Sequence, residues 1–330
     1  MHMTDWLSAA PSRHKPMPIL SFPGSQLLGC TVRDLVHSSE LQAQCMQAVA
    51  QRWDTLAAVS LMDLSVEAEA FGAAIRYSDD EVPTVTGTLA EDLESARALR
   101  VPSVGEARTG LYVDTIARAA KLITDRPIFA GAIGPFSLAG RLMSLTEIMV
   151  LCYTEPEAVH VALEKATAFL LEYTEAFKAT GANGIVLAEP AAGLLSPAMI
   201  AEFSSPYVRR IREALDGDDF LFLYHNCGNT IPLVESILSI GARAMHFGDA
   251  IDLRDMLPLI PRDRIVMGNV SPAKVLRAGT PESVCENTLE VLRACAGYPN
   301  FILSSGCDIP PATPLENLDA FFAAAREFYA

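Results

Sequence analysis

The chain has 330 residues, of which half are hydrophobic and a fifth are charged, a composition that excludes a disordered or fibrous protein. Its length suits either two domains or one large barrel, because single domains rarely exceed roughly 250 residues. The 40 acidic side chains outnumber the 25 basic ones and give a formal charge of -15, which argues against nucleic acid as a partner.

Seven short, almost continuously apolar segments alternate with longer amphipathic segments along the chain. Strands of a parallel sheet show this pattern, because helices and core cover both of their faces. The predicted strands, in chain order, are residues 57–62, 127–133, 184–188, 220–224, 242–247, 264–267 and 301–304. The clearest helices between them are residues 156–180 and 281–295.

Alternating strands and helices predict a parallel α/β protein, either an open doubly wound sheet or a closed (β/α)8 TIM barrel. All seven strands end in polar or Gly/Pro residues, as in a barrel that collects functional groups around one mouth. No Ser/Gly-rich linker divides the chain, so we predict a single-domain barrel. The eighth strand should lie between Ala73 and Arg126, where residues 82–85 and 100–104 are two weak candidates.

The sharpest local motif is His225-Asn226-Cys227-Gly228 at the end of a predicted strand. Residues i and i+2 of an extended chain project to the same side, so His225 and Cys227 should face together. Cys307 follows a later strand and would meet them at the mouth of a barrel. These donors would hold Zn²⁺ with a fourth position open, which is typical of catalytic zinc. Spacing alone leaves open that all three simply fill the core.

Three carboxylates also follow predicted strands: Asp63, Glu189 and Asp249. Such groups bind substrate or orient metal ligands, but barrel rims also carry acids that cap helices, and spacing does not decide between these roles. His246 lies inside a predicted strand, where a hydrogen-bonded core histidine is the more common case. Five other cysteines have no partner at ligand spacing and are assigned to packing: Cys30, Cys45, Cys152, Cys285 and Cys295.

Several common classes of protein lack their sequence signals here. No apolar segment reaches the roughly 18 residues of a membrane span, and residues 1–15 lack the apolar centre of a signal peptide. We therefore expect a cytoplasmic protein without a membrane partner. The glycine-rich motifs of dinucleotide-binding and P-loop proteins and the Gly-x-Ser-x-Gly elbow of esterases are also missing.

Taken together, five motifs resemble the uroporphyrinogen decarboxylase superfamily, and within it the zinc-dependent branch of methylcobalamin:thiol methyltransferases of the coenzyme M type. The resemblance runs from about Pro18 to Phe328, which makes residues 1–17 an N-terminal extension and residues 18–330 the barrel. The motifs are residues 62–72 (MDLSVEAEAFG), 134–138 (GPFSL), 224–228 (YHNCG), 267–272 (MGNVSP) and 304–314 (SSGCDIPPATP).

This resemblance implies that His225, Cys227 and Cys307 bind zinc. It further implies a reaction that moves a methyl group from methylcobalamin or a methylated corrinoid protein to a small-molecule acceptor. The corrinoid protein would be a transient partner, and the acceptor would be coenzyme M, homocysteine, another thiol or tetrahydrofolate. Asp63 and Asn269 lie in shared motifs and are candidate substrate or supporting residues.

The departures from true decarboxylases concern the substrate groups. Their C-terminal motif has Gly-His-Gly where this chain has Gly306-Cys307-Asp308, and their substrate tyrosine aligns with Arg141. Their arginine-rich N-terminal motif is absent as well. Two alternatives stay open: a decarboxylase-like lyase that uses Asp63, and a non-catalytic module that binds a corrinoid or tetrapyrrole.

Overall fold

The computed structural model describes residues 1–330 and contains nine strands. In chain order they are β1 (Ala58–Val59), β2 (Ala74–Arg76), β3 (Thr84–Thr86), β4 (Ile128–Ile133), β5 (Gly184–Ala188), β6 (Leu221–Asn226), β7 (Ala244–Phe247), β8 (Ile265–Val270) and β9 (Phe301–Ser305).

The α-helices in chain order are α1 (Met3–Ala9), α2 (Gly24–Leu28), α3 (Val32–Val36), α4 (Ser39–Arg52), α5 (Val66–Ala70), α6 (Leu93–Ala98), α7 (Thr109–Leu122), α8 (Pro135–Met143), α9 (Leu145–Thr154), α10 (Pro156–Ala179), α11 (Pro197–Phe203), α12 (Ser205–Leu215), α13 (Val234–Ile240), α14 (Leu253–Met256), α15 (Pro281–Cys295) and α16 (Leu315–Phe328). Short 3-10 helices cover Pro11–Arg13, Pro190–Leu194, Ile231–Leu233 and Leu257–Leu259, and a π-helix covers Pro272–Arg277.

Seven strands form one parallel sheet in the order β1-β4-β5-β6-β7-β8-β9. Each of the seven predicted strands is confirmed, although β1 is shorter than expected. The strands follow chain order with helices between them, so the parallel α/β class is confirmed. The predicted helices 156–180 and 281–295 correspond to α10 and α15. The second of these begins with a capping box, in which Thr280 and Ser283 exchange side-chain and backbone hydrogen bonds.

Alternate residues of each strand belong to two different hydrophobic cores. Ile185 and Leu187 of β5 pack with the outer helices. Val186, which lies between them in sequence, packs with Leu223 and Met267 of neighbouring strands in a smaller core on the other face. The period of two follows from strand geometry, and it explains why the strands read as continuously apolar.

Helix α1 covers the amino ends of the strands. The N–H of Met3 donates to the carbonyl of Asp218 at 2.5 Å, just before β6. The ring centroid of Trp6 lies 5.8 Å from that of Phe129, near the start of β4. Both Met3 and Trp6 are buried. Ligands therefore have access at the opposite end, where the strands finish, as in other parallel α/β proteins.

The prediction of an eighth strand between Ala73 and Arg126 is wrong. Within that interval β2 and β3 pair only with each other, as an antiparallel hairpin that includes part of candidate segment 82–85. Residues 100–104 form no strand. Most residues of this hairpin are exposed or only partly buried, so it lies outside the main sheet.

Residues 16–20 lie between the two edges of the main sheet instead. The N–H of Met17 donates to the carbonyl of Leu303 in β9 at 2.9 Å, and the N–H of Leu56, close to β1, donates to the carbonyl of Pro16 at 2.8 Å. Pro16 and Pro18 have no N–H to donate. The segment therefore contacts both edges without forming a regular ladder of hydrogen bonds.

No single helix is long and apolar enough to cross a bilayer. Helices α8 and α9 meet that test only when they are taken together, and they are bent by 102° at their junction.

Candidate metal centre

The side chains of His225, Cys227 and Cys307 meet at the carboxyl end of the sheet. Their ligand atoms all lie within 4.8 Å of one another, and Sγ of Cys307 is 3.5 Å from Nε2 of His225. His225 is the last but one residue of β6, Cys227 follows that strand, and Cys307 comes two residues after β9. The structure thus brings together three residues that are up to 82 positions apart in the chain.

Asn226 holds the turn that carries Cys227. Its Oδ1 accepts the N–H of Gly228 at 2.9 Å, and its Nδ2 donates to the hydroxyl of Tyr224 at 3.1 Å. An asparagine that bonds the backbone two residues further on forms an Asx turn. The strand alternation persists to this point, so His225 and Cys227 fall on one side and Asn226 on the other.

Glycines leave room for the backbone around Cys227. A Cβ on Gly248 would overlap Cα of Cys227 and lie 2.6 Å from its Cβ. A Cβ on Gly193 would lie 2.6 Å from Cα of Gly228. The loops after β5, β6 and β7 therefore pack backbone against backbone, which only glycine permits at these approaches.

The two thiols interact as a pair. A hydrogen bond from Cys307, together with the neighbouring His225, lowers the pKa of the Cys227 thiol to about 4, although burial opposes this shift. The same contact with Cys227, together with burial, raises the pKa of the Cys307 thiol well above its ordinary value. The pair accordingly holds one proton and one negative charge near neutral pH. A divalent cation would displace the remaining proton, because the thiolate is the metal ligand.

The donor set fits zinc. Zn²⁺ prefers thiolate sulfur and imidazole nitrogen in a tetrahedral arrangement. Bond lengths of about 2.3 Å to sulfur and about 2.0 Å to nitrogen give a tetrahedral S–N edge of roughly 3.5 Å. The distance between Sγ of Cys307 and Nε2 of His225 is 3.5 Å. Three protein donors leave one coordination position for another ligand, as in catalytic rather than structural zinc sites.

His246 lies directly behind His225, although the sequence indicated only a core residue. The two are cross-strand neighbours in β7 and β6, and their Nδ1 atoms are 2.8 Å apart. Nε2 of His246 is 2.7 Å from Oγ of Ser304. Burial, and then the neighbouring His225, lower the pKa of His246 well below its ordinary value, so the ring stays neutral. The one sequence signal for this contact was the position of His246 inside β7, the strand that follows β6.

Glu189 anchors helix α8 rather than facing the cavity. Its two oxygens accept the N–H groups of Phe136 and Ser137, both at 2.8 Å, in the first turn of that helix. Burial raises the pKa of Glu189, and these donors oppose the shift. A Cβ on Gly134 would lie 2.6 Å from the carboxylate carbon, so the helix approaches closely. Glu189 therefore sets the position of α8, which carries Arg141.

Asp63 has no free acceptor position. Its Oδ1 accepts the N–H and hydroxyl of Ser65 at 3.1 and 2.5 Å, and its Oδ2 accepts from Arg108 at 2.5 Å and from the Tyr112 hydroxyl at 2.8 Å. A carboxylate offers about four lone-pair positions, and here four donors use them. Arg108, 45 positions along the chain, belongs to no motif, so no sequence pattern indicated this ion pair.

Asp249 and Asn269 lie at the rim, outside the group of three donors. Nδ2 of Asn269 donates to the carbonyls of Gly248 and Ile251 at 3.0 and 2.8 Å and so holds the loop after β7. Asp249 is exposed and packs against Gly306, where a Cβ would lie 3.0 Å from its Oδ1. Both residues support the loops that flank Cys227 and Cys307.

A cavity of about 530 Å³ extends from Cys227 to Arg141. Its walls are largely apolar and include Ile133, Ala191 and Leu194. The guanidinium of Arg141 forms no ion pair and no hydrogen bond within the chain, and burial lowers its pKa while Asp63 opposes that shift. Arg141 is exposed at the open side of the cavity, so its unpaired guanidinium is accessible to a ligand that carries a negative charge.

The remaining five cysteines are free and lie outside the group of three donors. Three of them are buried, namely Cys45, Cys152 and Cys295, and two are partly buried, namely Cys30 and Cys285. Burial raises the pKa of Cys45 to about 12 and that of Cys152 to about 11, which keeps both as inert thiols.

Fold and site together define a class: a parallel α/β protein in which one imidazole and two thiols meet beside a cavity at the carboxyl ends of the strands. Residues 19–328 match the family described as uroporphyrinogen decarboxylase (URO-D), and the chain belongs to this family. The resemblance inferred from the five motifs is therefore confirmed.

Similar proteins include methyltransferases from two Methanosarcina species. Methylcobamide:CoM methyltransferase MtbA of Methanosarcina acetivorans is 29% identical over 274 residues, which cover 81% of this chain and 78% of the relative. A methylated-thiol–coenzyme M methyltransferase of Methanosarcina mazei is also 29% identical, over 80% of this chain and 71% of its own. A solved structure, described as a methyltransferase from Methanosarcina mazei, matches with a TM-score of 0.87 and 25% identity over 100% of both chains.

Proposed function

We propose that this protein is a zinc-dependent methyltransferase that moves a methyl group from a methylated corrinoid to a thiol or related acceptor. The observation that carries the proposal is the meeting of His225, Cys227 and Cys307, with ligand atoms within 4.8 Å, at the end of a cavity. The similarity to methylcobamide:CoM methyltransferases supports the same reaction.

The residues of the chain contribute position and charge. His225, Cys227 and Cys307 would hold the metal, which when bound would deprotonate an acceptor thiol and keep its sulfur nucleophilic. Two thiolate donors would offset the charge of the metal, so that the bound acceptor sulfur would stay nucleophilic while the metal keeps it deprotonated. In the proposed transfer, the corrinoid would act as the methyl-donating substrate: the carbon–sulfur bond would form as the cobalt–carbon bond breaks, and the electron pair of that bond would stay on the leaving cobalt. The largely apolar cavity walls would exclude water from this step once the methyl donor covers the mouth.

The acceptor enters the cavity between Cys227 and Arg141. Because Arg141 has no acidic partner in the chain, we propose that it binds an acidic group at the far end of the acceptor. An acceptor of this kind would reach from the metal centre at one end of the cavity to the guanidinium at the other.

The methyl donor is presented by a corrinoid protein that binds transiently around the mouth of this cavity. Leu145 and Leu194 line the cavity and are exposed by 42% and 61%. Tyr153, further along α9, is exposed by 75%. An apolar rim around a reaction site suits a partner that must cover it during transfer.

We propose that the seven-stranded sheet and one further strand form a closed (β/α)8 barrel in a single domain. Residues 16–20 would serve as its eighth strand, because they bond to residues at both edges of the seven-stranded sheet. The extension in this proposal ends at residue 15 instead of residue 17, because Pro16 and Met17 bond to the sheet edges, and α1 covers the barrel's amino end.

The decarboxylase-like alternative depends on a free carboxylate at Asp63. Four donors already use the oxygens of Asp63, so it has none left for pyrrole N–H groups. The non-catalytic alternative requires corrinoid binding without methyl loss, and the experiment below separates it from the methyltransferase.

Substitution of a donor residue tests the proposal. We expect Cys307→Ala to abolish thiol-dependent demethylation of methylcobalamin, followed by the change in corrinoid absorbance under anaerobic conditions. The matched control is Cys285→Ala, which removes a partly buried thiol of α15 far from the centre and should retain full activity. Wild-type protein that binds a corrinoid but transfers no methyl to any thiol or pterin would contradict the proposal.

The role of Arg141 is tested by comparing acceptors. We expect Arg141→Met to raise KM about 10- to 100-fold for thiols with a carboxylate or sulfonate tail, because one charge-assisted hydrogen bond is worth about 1.5–3 kcal/mol. For neutral thiols such as 2-mercaptoethanol, KM should change little. Arg118→Met, on the exposed face of α7, is the control. An equal effect on acidic and neutral thiols would contradict this role.

A further inference from the structure

A chain of hydrogen bonds leads from the metal centre to the N-terminal segment. Nδ1 of His225 is 2.8 Å from Nδ1 of His246, and Nε2 of His246 is 2.7 Å from Oγ of Ser304. The hydroxyl of Ser304 lies 2.8 Å from the carbonyl oxygen of Met17. His225, His246 and Ser304 are at most 2% exposed, so water does not compete for these contacts.

The end of this chain fixes the direction of every hydrogen bond in it. The carbonyl oxygen of Met17 accepts only, so the single hydroxyl proton of Ser304 is donated to it. Oγ of Ser304 must then accept from Nε2–H of His246. Nδ1 of a neutral His246 is consequently without a proton and accepts from Nδ1–H of His225. The lone pair of His225 is left on Nε2, the atom that faces Cys307.

The reverse direction would defeat metal binding. If His246 donated from Nδ1, a neutral His225 would carry its proton on Nε2, where it would point at the two thiols. A protonated imidazole nitrogen cannot be a metal ligand. The orientation of the hydrogen-bond chain therefore decides whether His225 is ready to bind.

We propose that His246 is a positioning residue for the metal centre, which fixes the tautomer and ring plane of His225 with Ser304 and the Met17 carbonyl behind it. This inference rests on the metal site of the proposed function. His246 does not itself contact the metal or a substrate. The general rule is that a metal-binding histidine donates its second N–H to a fixed acceptor, and here that acceptor is a second histidine.

The first experiment measures zinc affinity by competition with a chromophoric chelator, without any substrate. We expect His246→Leu, which removes the acceptor but keeps a similar volume, to weaken zinc binding about 10- to 100-fold. His246→Asn places an amide oxygen near the former Nδ1 and should restore affinity to within a few-fold. The control is His160→Leu on α10, which removes a hydrogen-bonded histidine far from the centre. Equal affinity of wild type and His246→Leu would overturn the inference.

The second experiment reads the tautomers directly by long-range ¹H–¹⁵N spectroscopy of the metal-free protein. We expect His225 to carry its proton on Nδ1 and His246 on Nε2, with the signals assigned through the His246→Asn variant. The opposite tautomers would overturn the inference even if zinc binds. Ser304→Ala, a smaller change than any at His246, should mix the tautomers and weaken zinc binding less than His246→Leu.

A failure of the proposed function can be distinguished from a failure of the role proposed for His246. Wild-type protein that binds no zinc would refute the proposed function, whereas the tautomers would still test the hydrogen-bond chain. Wild-type zinc binding with no effect of His246→Leu would refute only the role of His246. In Co²⁺-substituted protein, we expect the thiolate-to-cobalt absorption to persist in His246→Leu while the ligand-field bands shift, because only the imidazole donor is disturbed.

Discussion

Gly248 is the residue on which the position of Cys227 depends most directly. A Cβ at this position would overlap the backbone of Cys227, and backbone atoms cannot move aside as a flexible side chain can. We therefore expect Gly248→Ala to displace the Cys227 sulfur and to weaken zinc binding at least 10-fold. The strain should also lower the free energy of unfolding by about 1–3 kcal/mol. Chelator competition and urea denaturation measure the two effects.

The control for this substitution is Gly217→Ala, where a Cβ meets nothing within 4 Å. It should leave both zinc affinity and stability close to those of the wild type. If Gly248→Ala bound zinc as tightly as the wild type, the loop after β7 would be free to move away from Cys227. The close packing of Gly248 against Cys227 would then not determine the position of the Cys227 sulfur.

The meeting of His225, Cys227 and Cys307 could be predicted because it follows from local rules. Alternation along a strand placed His225 and Cys227 on one side, and the end of a later strand brought Cys307 to the same place. Asp63 also follows a predicted strand in the sequence, yet in the structure its carboxylate is paired with Arg108. That contact depends on a side chain far along the chain in no motif, so no local rule distinguishes Asp63 from a free carboxylate.

At the scale of elements, Glu67 joins helix α5 to strand β4. Its Oε1 accepts the N–H of Ile133 at 3.1 Å, at the end of β4, while Oε2 is buried without a partner. Burial raises the pKa of Glu67 to about 7. The folded protein thus holds a proton on Glu67 at pH values where the unfolded chain, with its ordinary carboxyl pKa, has released it.

The sign of the pH dependence follows from this difference. Between pH 4.5 and 7 the folded state binds more protons, so the contribution of Glu67 to stability falls as pH rises through this window. Glu67→Gln keeps the acceptor for Ile133 and cannot ionise. We expect the variant to match the wild type near pH 4.5 and to be more stable by about 3 kcal/mol at pH 8. Urea denaturation at four pH values measures the difference.

Glu235→Gln is the matched control, because Glu235 lies exposed on α13. Its difference from the wild type should be small and independent of pH. If the gain from Glu67→Gln were the same at pH 5 and pH 8, the buried carboxyl would not be protonated in the folded protein.

The segment at the sheet edges shows why one element escaped prediction. Residues 16–20 contain two prolines, and strand prediction depends on continuous apolar or alternating patterns that proline interrupts. Two of the three remaining N–H groups, those of Met17 and Ile19, donate to the carbonyl of Leu303 and to the hydroxyl of Ser305 at 2.9 and 3.1 Å. Only the arrangement of the whole sheet shows that this segment bonds to β9 at one edge and to Leu56, beside β1, at the other.

At the scale of the whole molecule, the centre connects distant parts of the sheet. His225 and Cys227 come from β6 and its loop, whereas Cys307 follows β9, with β7 and β8 between those strands in the sheet. An unfolded chain cannot hold the three donors together. Metal binding should therefore stabilise the folded protein by mass action.

We expect zinc to raise Tm and a chelator to lower it again. Free zinc at 100 times Kd adds about 2.7 kcal/mol of stability, which is roughly 4 °C in a protein of this size. Cys307→Ala should show no zinc-dependent shift, and its Tm in chelator should be close to that of the wild type in chelator, because Cys307 lies at the end of a strand rather than in the core. Cys285→Ala should retain the full shift.

Mg²⁺, a hard ion that prefers oxygen ligands, should have no effect. A shift of the same size with Mg²⁺ would place the stabilising cation among the surface carboxylates of this acidic protein instead of between two thiolates and an imidazole.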